Sequence, residues 1–188
     1  ETLPARRSLN RPACMPRLRA HSAPSPEATP GAPNAPSPWS EKGWLAAMPA
    51  GGLIDTGAIL ALLDRNDRWH GACVEAFAQL RLPLLTSEAV LTELFHLVGD
   101  SRREVEAAWR FVRSGAITIA PLANADLPEI DHLMARYRDR PMDFADATLV
   151  HLANRESLTT GFTVDHDDFQ TYRIDGRRRF RIVPAPSL

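Results

Sequence analysis

The chain has 188 residues, 44% apolar and 24% charged, with a formal net charge of −1. That length fits one domain with room for a tail, and the composition is that of a globular protein, not a wholly disordered one. No run of 18 apolar residues occurs, which excludes a transmembrane helix and a membrane partner, and the balanced charge carries no gross signature of nucleic-acid binding.

The averages hide a seam. Ten of the 16 prolines fall within residues 1–49, a stretch rich in Ala and Ser with a charge of +3 against −4 for the remainder. Such a segment buries too little apolar surface to offset chain entropy, so residues 1–48 read as a disordered Pro-rich tail without a folded role. A natural start at Met48, just ahead of the first strand, is the alternative reading. Cys14 and Cys73 match neither a disulfide framework nor a Cys-x-x-Cys metal site, which points to a reducing, cytoplasmic setting.

Residues 51–184 carry the folded pattern. Leu53-Ile54 is a short apolar run ending at Asp55, and Thr56–Leu63 has helical character. Trp69, Cys73, Ala76, Phe77 and Leu80 share the spacing of one helix face. Pro83–Thr86 reads as a strand, and Ser87 caps a helix with Leu91, Leu94, Phe95 and Val98 on its stripe. Ser101 and Glu104 have capping-box spacing ahead of a helix reaching Val112, and Ile117–Ala120 is a strand. A further helix starts at Asp126 and runs to about Arg138. Asp143–Asn154, apolar almost all round through Phe144, Ala147, Leu149, Val150 and Leu152, reads as a largely buried helix. Gly161–Val164 is a strand ending at Asp165, and Arg181–Pro184 is a last one. Strands that are apolar instead of alternating, interleaved with helices, predict an α/β three-layer sandwich with a mainly parallel central sheet.

Sites in such sheets collect where the carboxyl ends of the strands emerge. Asp55 and Asp165 each follow a strand directly. Asp143 and Asp146 open the buried helix three residues apart, and Glu93 lies in the helix begun by Ser87. Each acid alone has an ordinary explanation, as a helix cap or the partner of an arginine such as Arg102 or Arg103. The set does not, because converging carboxylates repel one another and the one lysine of the chain is Lys42, in the tail. Hard divalent cations with oxygen ligands, Mg²⁺ or Mn²⁺, meet that demand. His166 reads as a solvated loop residue. Arg177, Arg178 and Arg179 lie in the densest basic cluster of the folded part, with Tyr172 and Phe180 as candidate base-stacking rings, which suits an RNA backbone.

Four segments taken in order are Leu53-Ile-Asp55-Thr-Gly-Ala, Thr92-Glu93-Leu-Phe, Asp143-Phe-Ala-Asp146-Ala-Thr-Leu-Val and Thr163-Val-Asp165-His-Asp-Asp-Phe169. Together they resemble the PIN-domain ribonucleases, and within them the VapC toxins of bacterial toxin–antitoxin pairs. The resemblance spans about residues 52–184. It implies a small α/β domain that binds Mg²⁺ or Mn²⁺ in an acidic pocket and hydrolyses RNA as an endoribonuclease. Its acids fall on Asp55, Glu93, Asp146 and Asp165 as catalytic and metal-binding residues, and its small hydroxyl residue falls on Thr56, a candidate nucleic-acid contact. Asp143 is an extra acid in the third motif. Either it or Asp146 fits as principal ligand, and Asp146 fits the family pattern better. A homodimer and a small antitoxin covering the pocket are also implied, and the bulky Trp69, Phe77, Phe95, Trp109 and Phe111 add weak support for contact surfaces.

Three other readings compete with the toxin. A housekeeping or degenerate PIN-like module and a DNA-directed nuclease share the fold. Receiver and dehalogenase-type phosphotransfer domains share an Asp after a parallel strand, but both rely on a lysine that the folded part lacks.

Overall fold

The computed structural model describes residues 50–140 and 142–185. The segment read as a disordered tail, with Met48, lies outside them. Among the described residues, β1 (Leu53–Ile54), β2 (Leu84–Thr86), β3 (Ile117–Ile119), β4 (Thr160–Phe162) and β5 (Arg181–Val183) form one sheet in the order β3-β2-β1-β4-β5. Every pairing is parallel. Helices α1 (Thr56–Leu63) and α2 (His70–Gln79) join β1 to β2, and α3 (Glu88–Leu97) and α4 (Arg102–Val112) join β2 to β3. Helices α5 (Leu127–Arg136) and α6 (Phe144–Glu156) return the chain to β4, and α7 (His166–Thr171) leads to β5.

This topology accounts for the apolar strands. A parallel sheet needs crossover helices over its faces, so its strands are covered on both sides. Leu53, Ile54, Leu84, Leu85 and Phe162 are all buried in one core with Ile59, Val90, Leu94, Ile130, Leu149 and Leu152. The chain steps outward from β1 to β2 and β3, then returns to the far side of β1 for β4 and β5. With right-handed crossovers, α1–α4 cover one face and α5–α7 the other, giving the helix–sheet–helix layering. The reversal falls between β1 and β4. A crevice opens there at the carboxyl ends of the strands, the place where open α/β sheets bind ligands.

Local chemistry departs from the sequence reading in several places. Ser101 precedes α4 but makes no capping hydrogen bond. Residues 101–104 are exposed, so water serves the free amides of that helix start. Asp126 likewise does not cap α5; its carboxylate accepts from the Ala123 amide at 2.8 Å. Phe144 is exposed, unlike the rest of the apolar run of α6. Helix α7 was not legible: six residues with three acids around them present no helical period. His166 opens this helix and is half-buried, not a solvated loop residue. Tyr172 and Phe180 are buried core rings, packed on either side of Phe169 at 5.5 and 5.3 Å, and are unavailable for stacking on bases.

Candidate active site

Asp55 stands at the end of β1 and is buried. Its backbone is extended, and its amide still donates to the Phe162 carbonyl of β4 at 3.0 Å before α1 turns away. One carboxylate oxygen accepts from the Thr56 amide at 2.6 Å, and the other accepts from the Thr163 hydroxyl at 2.9 Å. The same Thr163 oxygen accepts from the Asp165 amide at 2.9 Å. One hydroxyl therefore ties the acids after β1 and β4 together across the switch point. Asp165, exposed, caps α7 by accepting from the Asp168 amide at 3.1 Å.

The other acids arrive on helices. Glu93, half-buried in α3, accepts from the Thr56 hydroxyl at 2.7 Å. Asp143 is the N-cap of α6, accepting from the Asp146 amide at 2.8 Å. Asp146, one turn into α6, accepts from the buried Tyr172 hydroxyl at 2.9 Å. Asp55, Asp143 and Asp165 are thus real helix caps. A cap occupies only one oxygen, so capping and pocket roles coexist in one carboxylate. All five acids line one cavity of about 510 Å³, together with Thr56, Gly57, Arg68, Trp69 and His166. A Cβ at Gly57 would lie 2.8 Å from Val164, which explains the smallest residue beside Asp55.

The electrostatics are those of acids without counter-ions. None of the five makes an ion pair among the described residues. Burial above all, with the nearby Glu93 charge, pushes Asp55 up to about 6 against the hydrogen bonds from Thr163 and Thr56. Burial, then repulsion from Asp55 and Asp143, pushes Asp146 up to about 8, while the Tyr172 hydrogen bond pulls the other way. A proton or a cation must relieve this repulsion. The donor set is all oxygen and fits a hard divalent cation better than zinc. Among the described residues no three of these side chains close into a ready-made metal-binding group. The acids border the cavity as separate walls that an ion would have to draw together.

Not every candidate gathers there. Arg177, Arg178 and Arg179 are exposed in the turn before β5, whose first residue pairs with Thr160 at the start of β4. Asp175, in the same turn, donates its amide to Asn154 near the carboxyl end of α6. These arginines lie at the amino ends of the strands, the end opposite the acids, and Arg178 pairs with Asp175. Thr56 does line the pocket, but it is buried and its proton is committed to Glu93. Tyr172 and Thr163 were missed as acid-holding groups. A Tyr three residues after Phe169 gives no sign from sequence that its hydroxyl reaches back to Asp146.

The fold and the acid-lined crevice define a class. Residues 52–175 match the PIN-domain family, and the chain belongs to it. More narrowly it is of the VapC type. It is 32% identical over 135 residues to Ribonuclease VapC26 of Mycobacterium tuberculosis (strain ATCC 25618 / H37Rv), covering 70% of this chain and 99% of that protein. The crystal structure of Mycobacterium tuberculosis VapC20, described as a sarcin-ricin loop cleaving toxin, shares the fold. Its TM-score is 0.56 at 23% identity, over 61% of this chain and 90% of that one.

Proposed function

We propose that this chain is a metal-dependent endoribonuclease, the toxin of a type II toxin–antitoxin pair, and that it hydrolyses RNA phosphodiester bonds at the acid pocket. The observation carrying this reading is that acids from four chain segments line one cavity at the switch point and that, among the described residues, no lysine or arginine is paired to any of them. Asp55 and Asp146, the two most strongly perturbed of these acids, would hold Mg²⁺ or Mn²⁺, with Glu93 and Asp165 completing the site and Asp143 at its rim. A divalent cation held by these acids would supply positive field for an anionic phosphate and would make a nearby water a better nucleophile at neutral pH.

The residues divide the remaining work. Thr163 fixes the Asp55 carboxylate and the start of α7 through one hydroxyl. Thr56 fixes Glu93, so α1 and α3 keep a constant separation at the pocket. Tyr172 holds one oxygen of Asp146 from below and favours its charged form. Among the described residues, no Ser, Cys or Lys lines the pocket as a nucleophile, which suits direct hydrolysis.

Partners follow from the same electrostatics. A small antitoxin would silence the enzyme by covering the pocket and offering an arginine, whose guanidinium fork matches carboxylates in two-point fashion. A homodimer in the bacterial cytoplasm completes the reading. No helix among the described residues is long and apolar enough to cross a membrane. The deciding experiment incubates the purified full chain with structured RNAs in Mg²⁺, Mn²⁺ or EDTA. Cleavage in either metal and none in EDTA is expected; intact RNA in all three would end the ribonuclease reading.

A further inference from the structure

RNA brings a polyanion to a pocket walled by acids, so cationic and aromatic surface is needed close by. The Arg177–Arg179 turn is at the wrong end of the sheet's strands for the RNA being cut. Arg68 is the one Lys or Arg lining the acid cavity among the described residues. It is exposed, and its guanidinium carbon lies 5.6 Å from the centroid of the Trp69 ring. Trp69 in turn meets His166, the residue after Asp165, with ring centroids 4.9 Å apart and planes tilted by 43°. These three side chains come from two distant segments and meet on the same cavity wall.

The wall is held in place. Asp67 accepts from the Trp69 amide at 2.6 Å, Asp64 accepts from the Asn66 amide at 2.9 Å, and the loop between α1 and α2 is closed by these bonds. His166 is fixed from the other side by its Nε2, 2.9 Å from the Pro184 carbonyl at the end of β5. Trp69 is not used for its polar edge: its indole N–H is buried without a hydrogen-bond partner. What it supplies is ring surface, in contact with a guanidinium and an imidazole beside the acids.

We propose that Arg68, Trp69 and His166 form the docking wall for the substrate strand, Arg68 taking a backbone phosphate next to the scissile one and the Trp69–His166 pair taking an adjacent base. This rests on the ribonuclease reading above and extends it to the direction from which RNA enters. Guanidinium groups and aromatic rings are the usual partners of single-stranded RNA, through charge and through stacking on the base faces. A preset wall also lowers the ordering cost of binding.

The test is steady-state cleavage by the full chain of a fluorophore-labelled pool of RNA hairpins with randomised loops, in Mg²⁺ and in Mn²⁺, across a salt series. Arg68→Gln should raise KM about fivefold to tenfold and reduce the slope of log(1/KM) against log salt by about 0.7, the value for one lost phosphate contact on a single strand. Arg68→Lys should restore the slope. Trp69→Leu should raise KM about tenfold, and His166→Ala, which leaves Trp69 in place, should raise it severalfold if Trp69→Leu fails to fold. Unchanged KM and salt slope in Arg68→Gln, with wild type active, would overturn the docking wall alone. A larger KM effect from a joint Arg177→Gln, Arg178→Gln, Arg179→Gln variant would do the same, placing the RNA at the amino ends of the strands. An inactive wild type would remove both this inference and the ribonuclease reading.

Discussion

Two acid-rich regions of this molecule are built in opposite ways. On the α5–α6 face, Asp126 and Glu129 surround His151, which is buried with its two ring nitrogens 3.3 and 3.1 Å from them, although neither contact has hydrogen-bond geometry. Arg155 reaches Asp126 at 3.3 Å, and Asn154 donates to Glu129 at 3.1 Å. Every acid there has a basic or amide neighbour. In the pocket between β1 and β4, the acids receive, among the described residues, hydroxyl and backbone donors only. The first arrangement closes a helix pair; the second leaves negative charge for something that must come from outside. Carboxylates taken out of water need a partner; the first region supplies one from its own side chains, and Asp55 and Asp146 in the second have no cationic partner among the described residues.

The sharpest way to break this contrast is to neutralise one acid in each region. Asp55→Asn and Asp146→Asn should each lower metal-dependent cleavage by more than about 100-fold, beyond what the loss of an outer-shell partner costs a metal site. Each should leave the melting temperature of the metal-free protein unchanged or higher, because a repelling charge is gone. Near-wild-type cleavage by either variant would show that its carboxylate is only a structural element. The same comparison on Asp143→Asn separates it from Asp146, the larger loss marking the principal ligand.

A pH series sharpens the contrast next. Asp55 and Asp146 have folded-state values raised from 3.8 to about 6 and about 8. The folded protein therefore binds more protons than the unfolded chain between about pH 4 and pH 8, and linkage makes stability fall as pH rises through that window. Their favourable contribution is complete below about pH 4 and lost above about pH 8. Melting curves in EDTA should show this decline, Asp146→Asn should flatten it, and Mg²⁺ or Mn²⁺ at pH 7.5 should raise the melting temperature. A flat profile in the wild type would mean that the pocket acids are already compensated.

In the paired region the effect moves to stability. Asp126→Ala strips His151 and Arg155 of a shared partner and should destabilise by about 1–3 kcal/mol in denaturant unfolding, with cleavage rates unchanged. A loss of activity without a loss of stability would reverse the division of labour between the two regions.

The acids were legible because position in an α/β fold is legible. Asp55 and Asp165 follow apolar runs that the structure pairs as β1 and β4, and Asp143 and Asp146 open the helix that the sequence marks as most buried. Their helix caps were legible too, although cap and site are not alternatives here. What remained hidden depends on contacts between distant segments. Tyr172 reads as a stacking ring beside arginines because its sequence neighbours are basic, yet its ring is buried and its hydroxyl crosses to α6. The arginines looked close to the chemistry, but the parallel register of β4 and β5 puts the turn before β5 at the amino ends of the strands, away from the acids. Trp69 reads from sequence as one more apolar position on the face of α2, Arg68 before it belongs to no pattern, and only the fold brings the two to His166.

Tyr172→Phe is the finest test of how the uncompensated region is held. The ring sits between Tyr137 and Phe169 with centroids 5.1 and 5.5 Å away, so phenylalanine keeps the packing and removes only the hydroxyl. That hydroxyl donates to Asp146, and the bond favours the ionised carboxylate against burial and the repulsion of its neighbours. Without it, Asp146 holds its proton to higher pH and its carboxylate is less well oriented. Cleavage at neutral pH should fall about tenfold, within the range for losing a partner of a metal ligand. The acid limb of the pH–rate profile should move upward, so that raising the pH recovers part of the loss. The melting temperature should move by no more than a few degrees, since one hydrogen bond is worth about 1 kcal/mol. A variant with the wild-type rate and an unshifted profile would leave Tyr172 as a core ring whose hydroxyl happens to end beside Asp146.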